Sequence, residues 1–174
     1  QQIGDLTINR LVVDRIDELE DGSHVIIDYK TGRGKSRGAW KGKRPEEPQL
    51  PLYTSLADGH IAGVMFANVK TDDPKWSGVT RDDGVIDRQK AYPSGSGKSE
   101  WENLYPDWDS LLSTWRHDLE NLANAFVAGT AHVDPKNPKS TCKYCHLNAA
   151  CRIRELTERS GSWLLDFEEE EDDD

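Results

Sequence analysis

The chain has 174 residues, the length of one ordinary domain with a sizeable core. No apolar run approaches the roughly 20 residues of a membrane span, and the start at Gln1-Gln2-Ile3 lacks an initiator methionine, so we expect a cytoplasmic piece of a longer protein, with no membrane contact. The net charge of −10 would exclude nucleic acid if it were even, but residues 168–174 are all acidic, and without them the balance is −3.

In chain order, residues 6–16 and 24–30 read as paired strands, the second an apolar run suited to burial on both faces. The stretch Leu19-Glu20-Asp21-Gly22-Ser23 reads as their hairpin turn, with Gly22 in the left-handed position that closes a three-residue loop. That register sets Asp14 opposite Asp28, where Cβ atoms lie roughly 4.5–5.5 Å apart and like charges repel unless a cation intervenes. A two-residue Asp21-Gly22 turn would instead shift the pairing by one and separate the carboxylates. Alternation puts Ile26, Asp28 and Lys30 on one strand face and Val25, Ile27 and Tyr29 on the other, so Lys30 projects beside the carboxylates. Two carboxylates and a lysine so placed read as a metal-dependent phosphodiesterase site. Arg15 with Asp17 reads as a salt-bridged pair.

Residues 32–44 read as a loop. Lys30, Arg33, Lys35, Arg37, Lys41, Lys43 and Arg44 precede the next acidic residue, Glu46, and this basic patch beside a phosphodiesterase-like site is expected to contact DNA, chiefly through Arg33, Lys35, Arg37, Lys41 and Lys43. Pro48 suits a first helical turn, and Gln49, Leu52, Tyr53 and Leu56 follow at helical spacing until Asp58-Gly59, with Gln49 and Tyr53 on one face. Residues 61–69 read as a third core strand in which Gly63 allows close packing. Strand pair, helix and strand together imply a mixed sheet flanked by helices, an α/β class.

From Pro74 to Pro106 the pattern weakens. Gly97-Lys98-Ser99 has the form of a phosphate-loop ending, but Tyr92 stands where the loop's first glycine belongs and no strand precedes it, so an ATP site is rejected. Residues 109–127 place Leu111, Leu112, Trp115, Leu119, Leu122, Phe126 and Val127 on one helical stripe, expected to face the core, with Gly129 ending the helix. All three cysteines then fall together as Cys142, Cys145 and Cys151, a metal-ligand spacing rather than a disulfide framework. His146 could complete a zinc site, whereas a [4Fe-4S] cluster needs a fourth thiolate. His24, His60, His117 and His132 lack ligand spacing. The acidic end, residues 166–174, is expected to be a disordered tail, leaving residues 1–165 as the domain.

Taken together, Val13-Asp14-Arg15-Ile16-Asp17, Ile27-Asp28-Tyr29-Lys30-Thr31-Gly32, Gln49 with Tyr53, and the Cys-x2-Cys-x5-Cys run closely resemble the RecB/AddB-like exonuclease family of the PD-(D/E)xK nuclease superfamily. The likeness covers residues 6–160. It implies a restriction-endonuclease-like core. Asp14 and Asp28 correspond to metal-binding positions for Mg²⁺ or Mn²⁺, Lys30 to the catalytic lysine, and Gln49 and Tyr53 to the helix motif lining the site. Cys142, Cys145 and Cys151 match the three late ligands of an iron-sulfur staple, a possible 4Fe-4S cluster whose first cysteine would precede Gln1. Leu11 replaces the glycine usual three residues before the first aspartate. The resemblance implies a DNA exonuclease or flap-type nuclease domain of recombination and repair, with a helicase domain or subunit as a possible partner. Its rivals are a nuclease-fold module that binds DNA or a helicase without cutting, and a zinc-binding interaction domain.

Overall fold

The computed structural model describes residues 1–32, 35–70, 74–93, 100–153 and 155. Arg33, the Gly97-Lys98-Ser99 run and the acidic tail lie outside the described residues. The chain divides into two compact units, Gln1–Gly129 and Thr130–Asp174.

The first unit is built on a four-stranded sheet. A short hairpin, β1 (Gln2–Ile3) and β2 (Leu6–Thr7), precedes the sheet strands β3 (Arg15–Glu18), β4 (His24–Lys30), β5 (Ile61–Asn68) and β6 (Lys75–Thr80). The order is β3-β4-β5-β6, with β4 and β5 parallel and the outer pairs antiparallel. The parallel step requires a crossover, supplied by a 3-10 turn at Arg37–Trp40 and by helix α1 (Gln49–Leu56). The mixed sheet flanked by helices is the restriction-endonuclease-like architecture expected from the sequence.

The two central strands are apolar because both faces are covered. Every residue of β5 is buried. On one face Ile26, Val64, Phe66 and Val79 meet Trp40, Leu50, Tyr53, Trp108, Leu111 and Trp115; on the other Val25, Ile27, Met65 and Ala67 meet Leu19, Val85 and Ile86. A Cβ on Gly63 would stand 3.2 Å from Val25, so glycine there permits the close approach of β5 to β4.

Four expectations need correction. Residues 6–16 are not one strand: Gly4, in the left-handed region at φ +52°, turns the chain back into the β1–β2 hairpin, and the Val12 carbonyl is taken by the Tyr53 hydroxyl rather than by a ladder. The loop at 32–44 contains the 3-10 turn, whose Trp40 is fully buried and stacks 4.8 Å from Phe66 and edge-on to Trp115 at 5.6 Å. Strand β6 and a short helix α2 (Glu100–Leu104) lie where the sequence pattern is weak. The helix expected at 109–127 forms as α3 (Trp108–Val127), but its stripe is buried only through Leu119; Leu122, Phe126 and Val127 are exposed. Ile3 of β1 packs on Leu119 and Ala123, so Ala123 rather than Leu122 faces the hairpin, and among the described residues of this unit the last turn has no apolar cover.

Asp107 caps α3 by accepting the Ser110 N–H at 2.7 Å, which holds its carboxyl below the usual range. Gly129, at φ +71°, takes the left-handed position beyond the helix end. The second unit holds two short helices, α4 (Pro138–Thr141) and α5 (Asn148–Cys151), on either side of the first two cysteines' turn. No described helix is long and apolar enough to cross a membrane.

Candidate active site

The hairpin joining β3 to β4 determines where the carboxylates stand. Leu19 N–H donates to the Ser23 carbonyl at 2.8 Å, and Gly22 is left-handed at φ +79°, which is the three-residue loop rather than the two-residue turn. The Asp21 carboxylate accepts from Ser23 N–H at 2.9 Å and from the Arg81 guanidinium at 2.9 Å. Hydrogen bonding to Ser23, foremost its hydroxyl, together with Arg81 holds Asp21 at a pKa of about 2. Arg15 pairs with Ile27 in the resulting ladder, so Asp14, one residue earlier, comes into line with Asp28. Asp14 lies just outside β3 and is exposed, and its Oδ2 accepts the Tyr29 backbone N–H at 3.0 Å. The Arg15–Asp17 salt bridge read from the sequence is present at 2.7 Å.

Asp28 is only 2 % exposed. Its Oδ2 is met by the Lys30 ammonium, an ion-pair partner 2.7 Å away. The lysine ammonium is also 3.3 Å from Gln49 Oε1 and sits 5.6 Å over the Phe66 ring. Gln49 Nε2 donates to the Tyr53 hydroxyl at 2.7 Å, one helical turn away, and that hydroxyl donates to the Val12 carbonyl. A continuous chain thus runs from Asp28 through Lys30, Gln49 and Tyr53 to the backbone two residues before Asp14. Five expected site residues converge from β4, α1 and the approach to β3.

The donor set suits a hard divalent cation. Among the described residues no three His, Cys, Asp or Glu side chains gather into a ready-made metal cage. Mg²⁺ does not demand one, since it commonly takes one or two carboxylates and keeps water and phosphate oxygens for the rest. A buried carboxylate with a single lysine as counter-charge and a second, exposed carboxylate in line with it make a fitting pair of oxygen ligands.

The basic loop is anchored rather than loosely solvated. Asn68, buried at the end of β5 and paired with Lys30 in the ladder, accepts from Lys35 N–H at 2.9 Å and donates to the Lys35 carbonyl at 3.2 Å. The Lys35 ammonium is engaged by Glu47. Gly42 N–H donates to the Tyr105 hydroxyl at 3.0 Å, the Arg37 guanidinium lies 5.8 Å from the Trp101 ring centre, and Lys43 is exposed. Sequence reasoning missed Asn68 and Trp40, which attach this loop to the core. The available signal for Asn68 was a polar residue closing an apolar strand level with the lysine.

In the second unit Cys145 N–H donates to the Cys142 carbonyl at 3.1 Å, Leu147 N–H to Cys145 Sγ at 3.4 Å, and Cys151 N–H to the Leu147 carbonyl at 2.9 Å. Burial, then the neighbouring Cys145 and Cys151 thiols, push the Cys142 thiol up. The thiols are near enough to influence one another and form no disulfide, and among the described residues no three of them with His146 gather into a metal site; His146 is exposed. His60, His117 and His132 are also exposed.

A family model for the PD-(D/E)XK nuclease superfamily matches residues 12–152. No curated protein and no solved structure matches the chain.

Proposed function

Since the chain belongs to the PD-(D/E)XK nuclease superfamily, we propose that it is a Mg²⁺- or Mn²⁺-dependent deoxyribonuclease of the RecB/AddB-like exonuclease type. The observation that carries the reading is the buried Asp28 carboxylate, 2.7 Å from the Lys30 ammonium and in line with the exposed Asp14. An inert scaffold gains nothing from a buried charge so placed, because desolvating it costs several kcal/mol, on the order of what a good partner returns.

Asp14 and Asp28 would hold the cation. When bound, it neutralises phosphate charge and lowers the pKa of water. Asp14 is oriented for this by the Tyr29 N–H. Lys30 donates from its ammonium to the attacking water or to a non-bridging phosphate oxygen, countering negative charge as it develops. Gln49 fixes the lysine head from one side and Tyr53 fixes Gln49, so the donor is positioned before substrate arrives. Arg37, Lys41 and Lys43, with Arg33 and Lys35 of the same segment, supply positive charge along the strand.

The resemblance carries three further assignments. Residues 1–165 would form the nuclease domain, within a longer chain that works with a helicase in recombination and repair. Cys142, Cys145 and Cys151 would be three ligands of a 4Fe-4S cluster in the full-length protein. The N–H donated to Cys145 Sγ supports that assignment, since such bonds stabilise a thiolate ligand.

Digestion of end-labelled single- and double-stranded DNA with Mn²⁺ tests the reading. Ladders or mononucleotides from the labelled end are expected. Stable binding of DNA with no cut product under any divalent cation would replace it with the non-catalytic binding module.

A further inference from the structure

Three groups meet the Lys30 ammonium. The Asp28 carboxylate lies 2.7 Å away and Gln49 Oε1 3.3 Å, and the ammonium stands 5.6 Å over the centre of the Phe66 ring. Ion pairing and hydrogen bonding account for the first two. The third follows from the sheet: Phe66 pairs with Asp28 in the parallel ladder, so its ring shares the face from which Asp28 and, two residues on, Lys30 project. The other residues that the sheet strands bury in the same core cluster, Ile26, Ile61, Val64 and Val79, are all aliphatic. The one aromatic side chain among them lies beneath the ammonium. Phe66 is 1 % exposed and is backed by Trp40 at 4.8 Å, which in turn meets Trp115 edge-on. A ring packed in this way is fixed independently of the lysine.

The chemistry of the site gives such a ring a task that an aliphatic side chain of similar size could not perform. Under the proposed mechanism Asp28 serves both the lysine and a divalent cation. A carboxylate so shared holds the ammonium less firmly, and the two positive charges repel. A further carboxylate beside Lys30 would steady the lysine but would compete for a cation that takes oxygen ligands. An aromatic face attracts an ammonium through its quadrupole and offers the hard cation no oxygen.

We propose that Phe66 is a positioning residue for Lys30, whose ring keeps the ammonium in place when a divalent cation occupies the Asp28 carboxylate. The inference rests on the nuclease reading and adds to it a residue that touches neither cation nor substrate.

The test changes the electrons of the ring and leaves its shape nearly alone. Phe66 is replaced by mono-, tri- and pentafluorophenylalanine, which weaken and finally reverse the quadrupole while keeping a ring to pack on Trp40. The logarithm of the single-turnover cleavage rate with Mn²⁺ is expected to fall steadily along the series, by roughly five- to thirtyfold at its end, the span of a partly desolvated cation–π contact. The Mn²⁺ concentration for half-maximal cleavage and the affinity for DNA should stay at wild-type values. A second measurement needs no activity. In NMR spectra of the uncleaving protein with Mg²⁺ and no DNA, the ε-methylene protons of Lys30 should lie upfield of those of an exposed lysine, because the ring current of Phe66 acts on them, and Phe66→Leu should abolish the displacement. A flat rate along the fluorinated series overturns the proposal, even if Phe66→Leu is slow, since the ring would then serve packing alone. Lys30 ε-protons at the ordinary position in the presence of Mg²⁺ overturn it as well. A wild type that cleaves no DNA removes the nuclease reading, and the NMR measurement then decides the contact by itself.

Discussion

Asp14 is tied to Tyr29, the residue between Asp28 and Lys30, by a 3.0 Å hydrogen bond from the backbone N–H to the aspartate Oδ2. The first carboxylate is therefore held at the site by the second strand's own backbone, before any cation arrives. It is also exposed, so its charge costs little to keep in the metal-free protein.

Asp14→Asn keeps an oxygen to accept the Tyr29 N–H while losing the charge. Stability is expected to stay within about 0.5 kcal/mol, as for an exposed substitution. The Mn²⁺ concentration for half-maximal cleavage should rise by at least the roughly 10–100-fold that even outer-shell changes cost. A Mn²⁺ titration of cleavage, with urea unfolding in parallel, checks both. An unchanged titration would remove Asp14 from the ligand set.

Asp28 and Lys30 are unequal partners, and their variants should differ in kind. Removing the aspartate in Asp28→Ala leaves a lysine already partly in solvent, whereas Lys30→Ala leaves a carboxylate that is 2 % exposed without its counter-charge. Asp28→Ala is expected to abolish divalent-dependent cleavage, keep its fold, and melt at the same temperature with or without Mn²⁺. Lys30→Ala is expected to lose roughly 1–3 kcal/mol without metal and to recover much of it when Mn²⁺ supplies the missing charge. Its turnover should fall roughly 10²–10³-fold with metal binding retained. Thermal melts with and without Mn²⁺, beside single-turnover rates, read out the contrast; a Lys30→Ala protein indifferent to metal would show that the lysine is not the aspartate's counter-ion.

The parts of this site that could be read from the sequence are those with local causes. Gly22 in a short turn sets the hairpin register, and alternation from that turn assigns Asp28 and Lys30 to one face. Gln49 and Tyr53 meet because residues four apart on a helix are neighbours. What escaped reading depends on distant packing. Trp40 sits in a run of Gly, Lys and Arg with no periodicity, and only the folded chain brings it against Phe66 and Trp115. Strand β6 carries its buried residues only at Gly78, Val79 and Thr80, so its first half resembles a loop. Leu122 and Phe126 continue the α3 stripe, but the β1–β2 hairpin packs beside Ala123, so the pattern outruns its partner.

Stability at the hairpin should depend on acid pH through Asp21. A carboxyl whose folded pKa is depressed stabilises the fold above its unfolded value, and that contribution is lost as pH falls through the folded one. Asp21 moves from the ordinary 3.8 to about 2, so the loss falls in that window on acidification. The Ser23 amide, which donates to Asp21, is expected to lose hydrogen-exchange protection there, while Asp21→Asn shows no such step. An NMR titration of the Asp21 carboxyl with a midpoint near its ordinary value would contradict the local geometry.

The basic loop allows its charges to be tested apart from its attachment. Substituting Arg37, Lys41 and Lys43 with Gln should weaken DNA binding on all sequences alike and reduce the slope of log K against log salt by roughly 0.7–0.9 for each phosphate no longer neutralised. Lys35→Gln should matter less, because its ammonium is already engaged by Glu47. Asn68→Ala removes no charge but releases both backbone groups of Lys35, and is expected to cost about 1–2 kcal/mol of stability. Its DNA affinity should fall because the same charges are less well placed, yet its salt slope should stay near wild type, since the released counterions are unchanged in number. Salt titrations of the two variant sets decide the matter. A flattened slope in Asn68→Ala would mean that the asparagine controls whether the loop touches phosphate at all, and an unchanged slope in the charge variants would leave the loop without a role in DNA binding.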